Sequence, residues 1–101
     1  MAKERILIVD DEKNIVSSLT SILSDEGYEV SMSGDGVEAL ELIQKDPPDL
    51  VILDIWLPGM DGIEVLKTLK SYNLGEEVLI MSRHGTKDTA IKATKLGAQE
   101  L

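Results

Sequence analysis

The 101-residue sequence has no cysteine and no phenylalanine, and its aromatic content is 3%. Without Cys there is no disulfide, no thiolate nucleophile and no thiolate metal centre, and the usual mark of an oxidising compartment is missing. No apolar stretch approaches the roughly 20 residues that a membrane-spanning helix requires, and the N-terminus lacks the apolar core of a signal peptide. The expectation is a cytoplasmic chain that makes no use of a membrane. Positive charge is also scarce, with ten Lys and Arg against nineteen Asp and Glu and a formal net charge of -9. Such a surface repels a phosphate backbone and argues against direct nucleic-acid binding. The remainder, 43% apolar and 29% charged, is ordinary for one small globular domain over residues 1–101 and unlike a disordered tail.

Apolar patterning divides the chain into repeated units. Arg5 to Val9 is a β-branched run that ends in Asp10-Asp11-Glu12, after which Ile15, Val16, Leu19, Ile22 and Leu23 recur at helical spacing up to Gly27. Tyr28 to Met32 reads as a second strand, and Val37, Ala39, Leu40, Leu42 and Ile43 as a helix that must stop before Pro47-Pro48. Leu50 to Leu53 is a strand apolar on both faces, followed by a helix through Ile63, Val65, Leu66 and Leu69. Val78 to Met81 and then Ala90, Ile91, Ala93 and Leu96 repeat the pattern, with Gly97 as the stop. Continuous apolar strands alternating with helices call for a parallel sheet covered on both faces, with right-handed crossovers. The expected class is therefore a doubly wound α/β sheet. Its ligand site belongs beyond the carboxyl ends of the strands, where the strand order reverses.

Those strand ends hold acidic residues. The first runs out into Asp10-Asp11, the third into Asp54 and the fourth into Ser82. On neighbouring strands, three aspartates and a hydroxyl would share one small volume, and their mutual repulsion is tolerable around a hard divalent cation. Mg²⁺ fits best, since it takes one or two carboxylates and a backbone carbonyl from a protein and keeps water on its remaining positions. Simpler roles compete: Asp10 or Asp11 could cap the first helix, and Asp35 and Asp61 read as N-caps whose capping boxes are completed by Glu38 and Glu64. Asp54 resists that explanation, because Ile55-Trp56-Leu57-Pro58 follows it rather than a helix. Pro58-Gly59 is a turn signal. His84 is given no chemical role. An alternative function is also written in the chain, since Gly34-Asp35-Gly36-Val37-Glu38-Ala39 matches G-x-G-x-x-A between a strand and a helix, with Asp54 twenty residues after Gly34. This would make a nucleotide-binding α/β domain, yet Asp35 puts negative charge where a pyrophosphate must sit.

The strings Ile6-Leu7-Ile8-Val9-Asp10-Asp11-Glu12 and Leu50-Val51-Ile52-Leu53-Asp54-Ile55-Trp56-Leu57-Pro58-Gly59-Met60-Asp61-Gly62 resemble the CheY-like receiver domain of bacterial two-component response regulators. Ser82-Arg83-His84-Gly85-Thr86, with Thr89-Ala90 and Ala93 to Ala98, looks like receivers of the NtrC-like activator subgroup. The resemblance implies a flavodoxin-like sheet of order 2-1-3-4-5. It implies that Asp54 is the phosphoacceptor for a sensor histidine kinase, and that Asp11, Asp54 and the Trp56 backbone carbonyl bind Mg²⁺ while Asp10 holds a metal-bound water. Ser82 would be the switch hydroxyl. The domain would assist its own phosphorylation and dephosphorylation without being a turnover enzyme, and would drive an output, with NtrC-like ATPase and DNA-binding domains as the expected partners. Receivers continue into a fifth strand with an essential lysine and a fifth helix, which this reading finds missing after Leu101. The expected consequence is a bare edge at Val78 to Met81 and a homodimer formed through it.

Overall fold

In a computed structural model, the described residues are 4–54, 62–72, 77–81 and 99–100. They form β1 (Arg5–Val9), α1 (Lys13–Asp25), β2 (Glu29–Ser33), α2 (Gly36–Lys45), β3 (Leu50–Asp54), α3 (Gly62–Tyr72), β4 (Glu77–Met81) and β5 (Gln99–Glu100). The helix expected around Ala90 to Leu96 lies outside them.

The sheet is parallel throughout, in the expected order β2-β1-β3-β4-β5. Alternation along the strands sorts the apolar side chains into two layers. Leu7, Val9, Val51, Leu53 and Val78 face α2 and α3, where they meet Ala39, Leu40, Ile43, Ile63, Leu66 and Leu69. Ile6, Ile8 and Ile52 point the other way, onto Val16, Leu19 and Leu23 of α1. The continuous apolar runs of β1 and β3 are thus the mark of strands buried on both faces. β2 is an outer strand, and its sequence Glu-Val-Ser-Met-Ser leaves Met32 49% exposed.

One expectation needs correction. β4 is not the edge of the sheet, because Gln99 and Glu100 pair with Leu79 and Ile80. Backbone N–H and C=O groups along an apolar strand seek partners, and even two polar residues supply them. The premise for self-association through a bare β4 is removed at those positions.

Loop chemistry sets the element ends. At the end of α1 the Tyr28 N–H reaches the Leu23 carbonyl (3.1 Å) and the Gly27 N–H reaches that of Ser24 (3.0 Å). This is a Schellman arrangement with Gly27 at φ 94°, accompanied by Leu23 and Tyr28 packing on the same core layer. At the amino end of the sheet, Arg5 clamps the α2–β3 connection. Its N–H donates to Asp49 Oδ2 (2.8 Å) and its carbonyl accepts from the Asp49 N–H (2.9 Å), while its guanidinium bonds the Asp46 carboxylate and the Pro47 carbonyl. The Asp46 hydrogen bond raises the Arg5 pKa above its ordinary value.

A Cβ at Gly27 would meet no atom within 4 Å, so its substitution is charged only with the left-handed backbone. Gly27→Ala is expected to lower stability by about 1 kcal/mol. Urea unfolding should show a lower midpoint at unchanged slope; an unchanged midpoint would contradict this account of the turn.

Candidate functional site

β1 and β3 are neighbours in register Val9 with Leu53, which sets Asp10 and Asp54 side by side one step further on. Here the chain leaves β1 for β2 on one side and returns to β3 on the other, so the site sits where the winding reverses. Asp54 is fully buried and Asp10 nearly so, at 0% and 2% exposure, while Asp11 is exposed. One carboxylate oxygen from each of the three lies within 4.8 Å of the other two.

Local bonds hold this arrangement. Asp10 Oδ1 accepts the N–H of Glu12 (2.8 Å), which turns the chain into α1. Glu12 is the N-cap of that helix and makes no side-chain cap bond, so the helix-capping role considered for Asp10 shrinks to orienting the entry turn. The Asp10 N–H donates to the Ser33 carbonyl (3.0 Å), extending the β1–β2 ladder one step into the site. Asp35 is the expected N-cap of α2 and accepts from the N–H groups of Val37 (2.7 Å) and Glu38 (3.3 Å). Glu38 does not close the box on Asp35 as expected; its carboxylate accepts from the Ser33 hydroxyl (2.8 Å), and that oxygen in turn accepts the Asp35 N–H (3.3 Å). These bonds count against the nucleotide-binding alternative. The N–H groups that a pyrophosphate would need already donate to Asp35.

Like charges about 4 Å apart near a protein surface repel by about 4 kcal/mol, which a divalent cation would reverse. One carboxylate oxygen from each residue within 4.8 Å of the others makes a cluster compact enough for one small divalent ion to bridge. The donor set, all carboxylate oxygen, suits a hard cation. Beside it lies an open groove of about 580 Å³, lined by Asp10, Lys13, Val16, Thr20, Met32 and Gly34 among others. Trp56, Ser82, Asp61 and His84 lie outside the described residues. Sequence reasoning missed Ser33, a small polar residue at a strand end whose only signal is its spacing of five from Glu38.

The response regulator receiver domain family matches residues 6–101. The chain belongs to that family. This receiver domain is 42% identical over 98 residues to sporulation initiation phosphotransferase F of Bacillus subtilis, covering 97% of the chain and 79% of that protein. It is also 42% identical to the transcriptional regulatory protein ZraR of Klebsiella oxytoca, covering 92% of the chain but 21% of ZraR. Among solved structures, a CheY-like receiver domain protein from Methanospirillum hungatei superposes at a TM-score of 0.92 with 31% identity, over 98% of this chain and 79% of that one. NtrX from Brucella abortus superposes at 0.88 with 40% identity, over 98% of this chain and 22% of NtrX. The receiver thus spans about four fifths of one relative and about a fifth of the NtrC-family regulators it resembles.

Removing one carboxylate from the cluster should relieve repulsion in the metal-free protein. Asp54→Asn is expected to melt at a higher temperature than the parent without divalent ions, and to gain less than the parent when Mg²⁺ is added. Identical Mg²⁺-induced shifts in the two proteins, followed by thermal melting, would place the ion elsewhere.

Proposed function

We propose that Asp54 accepts a phosphoryl group from the phosphohistidine of a sensor histidine kinase in a Mg²⁺-dependent reaction, and that the resulting acyl phosphate switches an output in the cytoplasm. The observation that carries this reading is the fully buried Asp54 carboxylate at the end of β3, gathered with Asp10 and Asp11. An Asp54 oxygen attacks phosphorus, the phosphorus–nitrogen bond breaks, and its electron pair returns to the imidazole. Asp11, Asp54 and the Trp56 carbonyl would hold Mg²⁺ directly, with Asp10 holding one of its waters. When bound, the ion neutralises charge on the transferring oxygens and on the carboxylates. The Asp10–Glu12 bond keeps one buried carboxylate oriented throughout. The new phosphate carries about −1.5 to −2 charges and draws in donors, for which Ser82 is the candidate on the fourth strand's loop. In this role the domain is consumed and restored as a phosphoacceptor and is not a turnover enzyme.

Likeness to ZraR and NtrX supports an output through transcription activation, by ATPase and DNA-binding domains of the NtrC type. Coverage of four fifths of a protein named as a phosphotransferase supports a second output, passage of the phosphoryl group to another protein in a relay.

Incubation with acetyl phosphate and Mg²⁺ is expected to add one phosphoryl mass to the intact protein. Asp54→Asn or excess EDTA should abolish the addition. Equal uptake by the Asn variant would refute the assignment of Asp54.

A further inference from the structure

Ser33 and Glu38 belong to no function described so far, yet they stand between the first turn of α2 and the acidic cluster. Ser33 is 4% exposed, and opposite Val9 it is the last paired residue of β2. Its carbonyl accepts the N–H of Asp10 (3.0 Å). Its hydroxyl lies 2.8 Å from Glu38 Oε1 and 3.0 Å from the Asp35 carbonyl, and it accepts the Asp35 N–H at 3.3 Å. A hydroxyl has one proton to give, and the shorter bond to a carboxylate is the stronger of its two choices.

The consequence is mechanical. The Asp10 N–H is held by the Ser33 carbonyl, and its Oδ1 by the Glu12 N–H. The second lies within its own turn, whereas the first ties it to the end of β2. If the β2–α2 turn drifts, the Ser33 carbonyl drifts with it and the Asp10 main chain loses its hold on the β2 side. The Ser33–Glu38 bond pins that turn to α2, whose side chains Ala39, Leu40 and Ile43 are fixed in the core. We propose that Ser33 and Glu38 are positioning residues for the acidic site, setting its Mg²⁺ affinity through the main chain of Asp10. This rests on the functional reading above and adds two residues to it, at one remove from the ion.

Four single variants test it: Ser33→Ala, Glu38→Ala, Glu38→Gln and, as a control for exposed charge on the same helix, Glu41→Gln. Mg²⁺ binding is measured by calorimetry, folding by thermal melting without metal, and protection of the Asp10 amide by hydrogen exchange. Loss of such outer partners is expected to weaken Mg²⁺ binding by roughly tenfold in Ser33→Ala and Glu38→Ala, with faster exchange at the Asp10 amide. The amide oxygen of Glu38→Gln accepts the same bond, so this variant should bind as tightly as Glu41→Gln, which separates the hydrogen bond from the lost charge. Equal weakening in Glu38→Ala and Glu38→Gln would overturn the proposal. So would Mg²⁺ affinities of Ser33→Ala and Glu38→Ala within about twofold of the parent, whatever their melting temperatures. A parent chain that binds no Mg²⁺ would overturn the functional reading as well, whereas normal parent binding with unaffected variants overturns this inference alone.

Discussion

Pairing of β1 with β2 on one side and β3 on the other is the constraint from which everything else follows. It buries Ile6 to Val9 on both faces, obliges the chain to cover both sides of the sheet, and brings the residues after β1 and at the end of β3 into one place. The carboxylates are brought together by hydrophobic burial one residue earlier, at Val9 and Leu53. Apolar area supplies the force and acidic chemistry occupies the position it fixes.

The two ends of the sheet are built differently. At the amino end, the Arg5 guanidinium pairs with the Asp46 carboxylate and the Arg5 N–H donates to that of Asp49, closing the surface around the α2–β3 connection. At the carboxyl end, three like charges stand within a few ångströms. Attraction at one pole and repulsion at the other leave the second as the place where an added cation or phosphate changes the energy most.

The parts legible in the sequence are those whose signal is local. Leu50 to Leu53 declares a buried strand because every residue is apolar, and Asp35 declares a cap because the bonds it makes are to its own next residues. β2 is less legible. As an outer strand with one wet face it carries Glu29, Ser31 and Ser33, and the periodicity places it one residue early because Tyr28, which packs at the end of α1, looks like strand. β5 consists of Gln99 and Glu100 and has no pattern of its own, only the need of β4 for a partner. Asp54 is legible by elimination, since nothing after it needs a cap. The Ser33–Glu38 bond is not, because a serine and a glutamate five residues apart become partners only once a strand and a helix meet at an angle.

The Arg5 clamp joins residues 44 apart in sequence, and this has a meaning during synthesis. A chain emerging from the ribosome can make β1, α1, β2 and α2 in turn, but the side of β1 that faces β3 stays open until Leu50 to Asp54 have been added. Until then an apolar strand offers unpaired backbone to any neighbour, the condition under which nascent chains associate wrongly. Arrival of β3 closes that edge, and the Arg5 main chain and guanidinium fasten the incoming segment at its first residues. The clamp therefore marks the point in translation at which β1 is closed on both sides and the open edge passes to β3, until β4 pairs with it.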